Sequence, residues 1–135
     1  MILEGRIIGS MQGLHLTADL RGCATGRPVM TETEALRTIC LDAVESAGLS
    51  AVGELFHRFV PSSPSAGAPS GITGIVLLAE SHLAVHTWPE LEAATLDVYV
   101  CNLGVDNSAR AEALMTELVA AFAPERIERH AQRRG

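Results

Sequence analysis

Gly71-Ile-Thr-Gly-Ile-Val-Leu-Leu-Ala-Glu-Ser-His-Leu-Ala-Val-His-Thr-Trp-Pro-Glu90 is the most informative segment of the chain. Residues 72–79 are an apolar run of strand length, the pattern of a central strand. Residues 82–88 continue as a second strand after a tight turn at Glu80–Ser81, and Pro89, which has no N–H to give to a ladder, interrupts it. The apolar strand therefore delivers Glu80 and Ser81 at its end. His82 and His86, four residues apart, share one face of a strand or a helix.

Outward from this hairpin, residues 94–101 alternate, with Asp97 and Tyr99 at the parity of Cys101. Residues 51–60 read as extended, and 61–70, with three Pro and four Ser, as a loop. Residues 12–20 alternate as a half-buried strand, Leu14, Leu16, Ala18 and Leu20 on one side and His15, Thr17 and Asp19 on the other. Residues 21–30 read as a loop. Two amphipathic helices follow from the spacing. One covers 31–48, with Thr31 and Glu34 as a capping box and Gly48 as its stop. The other covers 106–123, with Asp106 as N-cap and Pro124 ending it. Residues 125–131 read as a short final strand. The order β-α-β-β-β-β-α-β predicts one domain over 1–135 in the α+β class. It is a two-layer sandwich, a mostly antiparallel sheet with two helices on one face.

Composition narrows the function. The chain has 135 residues, 10 Lys plus Arg against 16 Asp plus Glu, and a formal net charge of −6. That balance argues against nucleic-acid binding. No apolar run is long enough for a membrane helix, and the N-terminus lacks a signal-peptide pattern, so a cytoplasmic protein is expected. Cys23, Cys40 and Cys101 are odd in number and widely spaced, which fits reduced thiols rather than a disulfide framework. All 10 basic residues are Arg. Chemistry that needs a lysine amine, including the usual pyridoxal-phosphate linkage and the Walker phosphate loop, is excluded.

A Ser, a His and a Cys near strand ends can serve as nucleophile, base and proton donor. Taken singly, each has a plainer reading. A Ser in a turn commonly bonds the backbone, and a Cys at a strand end commonly fills the core. His82 and His86 with a cysteine also fit a metal-binding module, although no third ligand stands at a recognisable spacing.

The string from Glu80 to Glu90, Glu-Ser-His-Leu-Ala-Val-His-Thr-Trp-Pro-Glu, resembles the signature of S-adenosylmethionine decarboxylase proenzymes of the short prokaryotic type. Gly13-Leu14-His15-Leu16, Leu20-Arg21-Gly22-Cys23, Phe56-His57-Arg58-Phe59 and Val98-Tyr99-Val100-Cys101 resemble further family segments in register. The resemblance implies self-cleavage between Glu80 and Ser81, giving residues 1–80 and 81–135 with a pyruvoyl group at position 81. It implies Ser81, His86 and Cys101 as catalytic residues, with Glu80, Ser81, His86 and Thr73 in processing; Thr73 stands where the family has Ser. It implies Phe59, Trp88 and Glu90 as substrate-binding residues, no metal, and a homodimer of processed chains with shared sites. The substrate implied is S-adenosylmethionine, for polyamine synthesis. The same chemistry on arginine or ornithine is the alternative, with Glu90, Glu92 and Asp97 as candidate partners of a cationic end. A processing-dead paralogue with a binding or regulatory role is a further one. The chain departs from the family pattern in three places. Its loop 61–70 is longer, Leu91-Glu92 replaces an aromatic-glycine pair, and Asn102-Leu103 replaces a Gly-acid pair after Cys101.

Overall fold

A computed structural model describes residues 12–60 and 69–135. The expected loop over 61–70 therefore falls largely outside the described residues. Six strands form one sheet: β1 (Gly13–Arg21), β2 (Ala51–Phe59), β3 (Gly71–Leu78), β4 (Ser81–Trp88), β5 (Ala93–Cys101) and β6 (Arg126–Arg134). Their order is β2-β3-β4-β5-β1-β6, and every pairing is antiparallel. The expected α+β sandwich is the observed fold. One point of topology recurs below: β1 lies between β5 and β6, although those two strands come from the far end of the chain.

The helices are α1 (Pro28–Thr31), α2 (Thr33–Ser46) and α3 (Ser108–Phe122). The short α1 corrects the loop reading of 21–30. Pro28 sits at its first position, where a missing N–H costs nothing and a fixed φ suits the helix. The Thr31–Glu34 capping box does not form, because Thr31 closes α1 and the extended Glu32 is the N-cap of α2 without a side-chain bond. The far end of α2 follows the sequence. Gly48 takes φ 84°, its N–H donates to the Glu45 carbonyl, and the Leu49 N–H donates to the Val44 carbonyl. This is a Schellman closure. The N-cap of α3 is Asn107, not Asp106; the Asp106 carboxylate instead accepts the Ser108 N–H at 2.9 Å. That bond holds the Asp106 carboxyl below its usual range.

Alternation along the strands divides the sheet into two faces. Leu16, Leu20, Ile72, Val76, Leu83 and Leu96 point to the helices and meet Leu36, Leu114, Leu118 and Phe122 in the core. The other face carries His15, Thr17, Thr73, His82, His86, Asp97 and Tyr99. Among the described residues no helix covers it. β3, apolar apart from Thr73 and its glycines, is an inner strand, second in the order, and buried on one face only: Leu77 is 46% exposed, and Leu55 on the same face of β2 is 69% exposed.

Thr87 ties the two layers. It is fully buried, its Oγ1 donates to the Met30 carbonyl of α1 at 3.0 Å, and it accepts the Ile72 N–H of β3 at 3.0 Å. Thr87→Val keeps the shape and strands both partners. Each unsatisfied buried group costs about 1–3 kcal/mol, so a loss of about 2–3 kcal/mol is expected. The urea midpoint, measured on a chain kept uncleaved by Ser81→Ala, checks it.

Candidate active site

Ala79 and Glu80 form the turn between β3 and β4, with Leu78 paired to Ser81. Ser81 thus opens β4 at the sheet's end, beside the last residue of β5. The Ser81 Oγ accepts the Cys101 backbone N–H at 3.1 Å. Both residues border a cleft of about 330 Å³ shared with Glu80, Leu103, Val105 and Asn107. The other two thiols are withdrawn: burial pushes Cys40 up to about 12 and raises Cys23 as well. Cys101 is the thiol that lines the cleft.

Thr73 and His86 are register partners on β3 and β4, and Thr73 Oγ1 shares a hydrogen bond of 3.2 Å with His86 Nδ1. Trp88 stacks on His86 with ring centroids 5.7 Å apart, and Phe59 lies 6.5 Å from Trp88 at a tilt of 57°. Gly71 makes this possible, since a Cβ there would run into the Phe59 ring and the Thr87 carbonyl. Glu90 follows in the 3-10 turn Pro89–Leu91 and is exposed. Glu92 then adopts φ 49°, a left-handed conformation costly for a residue with a Cβ. Its carbonyl accepts the Cys23 N–H at 2.8 Å.

The structure thus groups the expected residues into two sets. Glu80, Ser81 and Cys101 gather at one end of β4; Thr73, His86, Trp88 and Phe59 gather toward the other. Ser81 and His86 are five residues apart on a strand, about 16 Å at the strand rise of roughly 3.3 Å per residue. Within one chain they do not meet.

Between the sets lies a polar cluster that no sequence motif marks. Asp97 Oδ1 is 2.7 Å from His15 Nε2 and 3.3 Å from His82 Nε2. Tyr99 stacks on His82 at 5.8 Å, and the Arg134 guanidinium lies 5.8 Å from the Tyr99 centroid. Gly13 leaves room for the tyrosine, for a Cβ there would sit 2.6 Å from the Tyr99 hydroxyl. His82 and His86 have different partners, and among the described residues no group of three or more His, Cys, Asp or Glu side chains is arranged to hold a metal ion. Asn102, marked in the sequence only as a departure from the family pattern, and Asn107, not marked at all, knit the loop after Cys101 with their carboxamides. The signal for Asn107 was the polar run Asp106-Asn107-Ser108, richer in capping residues than one helix start needs.

Comparison with known proteins shows the family. A family model described as S-adenosylmethionine decarboxylase matches residues 14–135. The chain is 35% identical over 123 residues to the S-adenosylmethionine decarboxylase proenzyme of Aquifex aeolicus, covering 91% of this chain and 81% of that one. It is 37% identical to the proenzyme of Persephonella marina, covering 91% and 82%. The crystal structure of the Aquifex aeolicus adenosylmethionine decarboxylase superposes with a TM-score of 0.78 at 32% identity, covering 93% of this chain and 92% of that one. The fold and the matches define an enzyme of the carboxy-lyase class. Within it, the chain belongs to the S-adenosylmethionine decarboxylase family.

Proposed function

We propose that this chain is the precursor of a pyruvoyl-dependent decarboxylase that cleaves itself between Glu80 and Ser81. The mature enzyme removes the α-carboxylate of S-adenosylmethionine, acts in the cytoplasm, and yields the aminopropyl donor for polyamine synthesis. The observation that carries the reading is Ser81 at the hairpin turn, its Oγ fixed by the Cys101 amide at 3.1 Å. A weak hydroxyl nucleophile reacts only when held near its carbonyl, and the turn keeps the Glu80 carbonyl adjacent.

In processing, the Ser81 Oγ forms a bond to the Glu80 carbonyl carbon as the C–N bond breaks, turning peptide into ester. A base then removes the Ser81 α-proton, and the Cβ–Oγ bond breaks to leave Glu80 as a carboxylate. The residual dehydroalanine takes up water and loses ammonia, which leaves the pyruvoyl group. That group supplies a carbonyl that condenses with the substrate α-amine and accepts the electron pair as carbon dioxide leaves. Cys101, at the same cleft, holds the thiol proton that returns to the α-carbon.

His86 is the base in this scheme, hydrogen-bonded to Thr73, and it stands about 16 Å from its own Ser81. A homodimer resolves the separation. A twofold that sets the open faces together gives each Ser81–Cys101 end the Thr73–His86 end of the partner, with Phe59, Trp88 and Glu90 beside it for substrate. The exposed Leu55 and Leu77 on that face support such a cover. The arginine or ornithine alternative gains nothing from the geometry. Asp97 already serves His15 and His82, and it pairs with Ala84, away from Glu90 and Glu92.

A denaturing intact-mass spectrum of the purified protein tests the reading. Two species are expected, residues 1–80 and a pyruvoyl-blocked 81–135. A full-length mass that persists through prolonged incubation overturns it and leaves a paralogue that does not process.

A further inference from the structure

Cys101 occupies an unusual place in the ladder. It pairs with Gly13 at a position where the Asn102 N–H, not its own, donates to the Gln12 carbonyl at 2.7 Å. In an antiparallel pair this turns the Cys101 N–H and C=O away from β1, toward β4. β4, however, begins only at Ser81, so no strand backbone is there to receive them. Side chains take its place. The N–H donates to Ser81 Oγ at 3.1 Å, and the C=O accepts from Asn107 Nδ2 at 2.9 Å.

Asn107 is itself fixed on three sides. Its Oδ1 accepts from Arg110 Nη1 at 2.8 Å, and its N–H donates to Asn102 Oδ1 at 2.7 Å. Asn102 Nδ2 in turn donates to Ser108 Oγ at 3.0 Å. Asn102 stands where the chain departs from the family pattern after the cysteine, and Asn107 borders the cleft that holds Ser81 and Cys101.

We propose that Asn107 is a positioning residue for both steps of the reaction, a role that rests on the function proposed above. In the precursor it clamps one end of the Cys101 residue so that the other end is aimed at Ser81 Oγ. Cleavage carries that oxygen away on Glu80, and the Asn107 clamp is then the remaining side-chain hold on the Cys101 backbone. The thiol's aim into the cleft depends on it more after processing than before.

Asn107→Asp is the sharpest test. Aspartate is isosteric and keeps the contact with Arg110 but has no donor for the Cys101 carbonyl. Loss of one such hydrogen bond corresponds to about tenfold. In the processed enzyme kcat for S-adenosylmethionine is expected to fall about tenfold with KM unchanged, because the side-chain bonds of Asn107 go to Cys101 and Arg110 and to none of the substrate-binding residues Phe59, Trp88 and Glu90. Processing, followed by intact mass, is expected to slow by a smaller factor. Asn107→Ala, without the added charge, shows the same kcat-against-KM split. Melting curves accompany each variant, and the alanine variant carries the test where aspartate prevents folding. Wild-type kcat and processing in a folded Asn107→Asp or Asn107→Ala protein overturn the proposal. Failure of the wild-type chain to cleave in the same experiment instead overturns the function on which it rests.

Discussion

Ser81→Ala gives a single uncleaved chain with no decarboxylase activity. In the processing proposed above, the substitution removes the attacking atom, so no ester forms at Glu80 and no carbonyl prosthetic group is made. No other group in the chain can replace it, because there is no lysine to carry an alternative cofactor. The fold is expected to survive. Ser81 is only half-buried, and water can take the Cys101 N–H that its oxygen leaves. Intact mass reads the result directly, and cleavage persisting in this variant sinks the mechanism. The same variant tests the shared site. Mixed as dimers with His86→Ala, which is also expected to stay whole on its own, it supplies an intact His86 opposite the other chain's Ser81. Cleavage then returns in the His86→Ala chain and not in the Ser81→Ala chain. No recovery in mixed dimers would mean that each chain processes alone.

The second large effect separates two roles of one residue. Cys101→Ala keeps the backbone N–H that holds Ser81 Oγ and deletes only the thiol. Processing is expected at close to the wild-type rate. Productive turnover is expected to fall by roughly 10²–10⁴-fold, the usual contribution of a placed proton donor. Intact mass and carbon dioxide release, measured on one preparation, report the two steps separately. Unchanged turnover removes Cys101 from the proton-donor role.

Much of this architecture was legible before any coordinates. The hairpin of β3 and β4 announced itself because an apolar run, a two-residue turn and a second run ended by Pro89 leave few other arrangements. β1 and β5 alternate because one face meets helices and the other does not. What escaped was set by tertiary partners. β6 was read as 125–131 and runs over Arg126–Arg134, and none of its residues is buried, so no alternation marks it. Backbone pairing with β1 makes it a strand. The entry to α2 was misread because Thr31 and Glu34 fit a capping box in sequence, whereas Pro28 had already started a separate turn of helix. At the site, the motif named Ser81, His86 and Cys101 but carried no distance, and only β4 as a straight strand separates the serine from the histidine. Asn107 was invisible because its work is defined by where β4 begins.

The position of β1 between β5 and β6 governs what the proposed cut can and cannot undo. Residues 1–80 hold β1, β2 and β3; residues 81–135 hold β4, β5 and β6. The first product is thus threaded through the second, hydrogen-bonded along β3–β4 and again on both edges of β1. Severing the hairpin releases neither piece. Folding, though, becomes a different problem. As one chain the precursor closes these contacts intramolecularly; once cut and unfolded, the two pieces must find each other, and recovery becomes second order in concentration. Maturation is in this sense a ratchet: the molecule is assembled once, as a continuous strand of peptide, and a cleaved copy that unfolds in dilute solution has no easy way back.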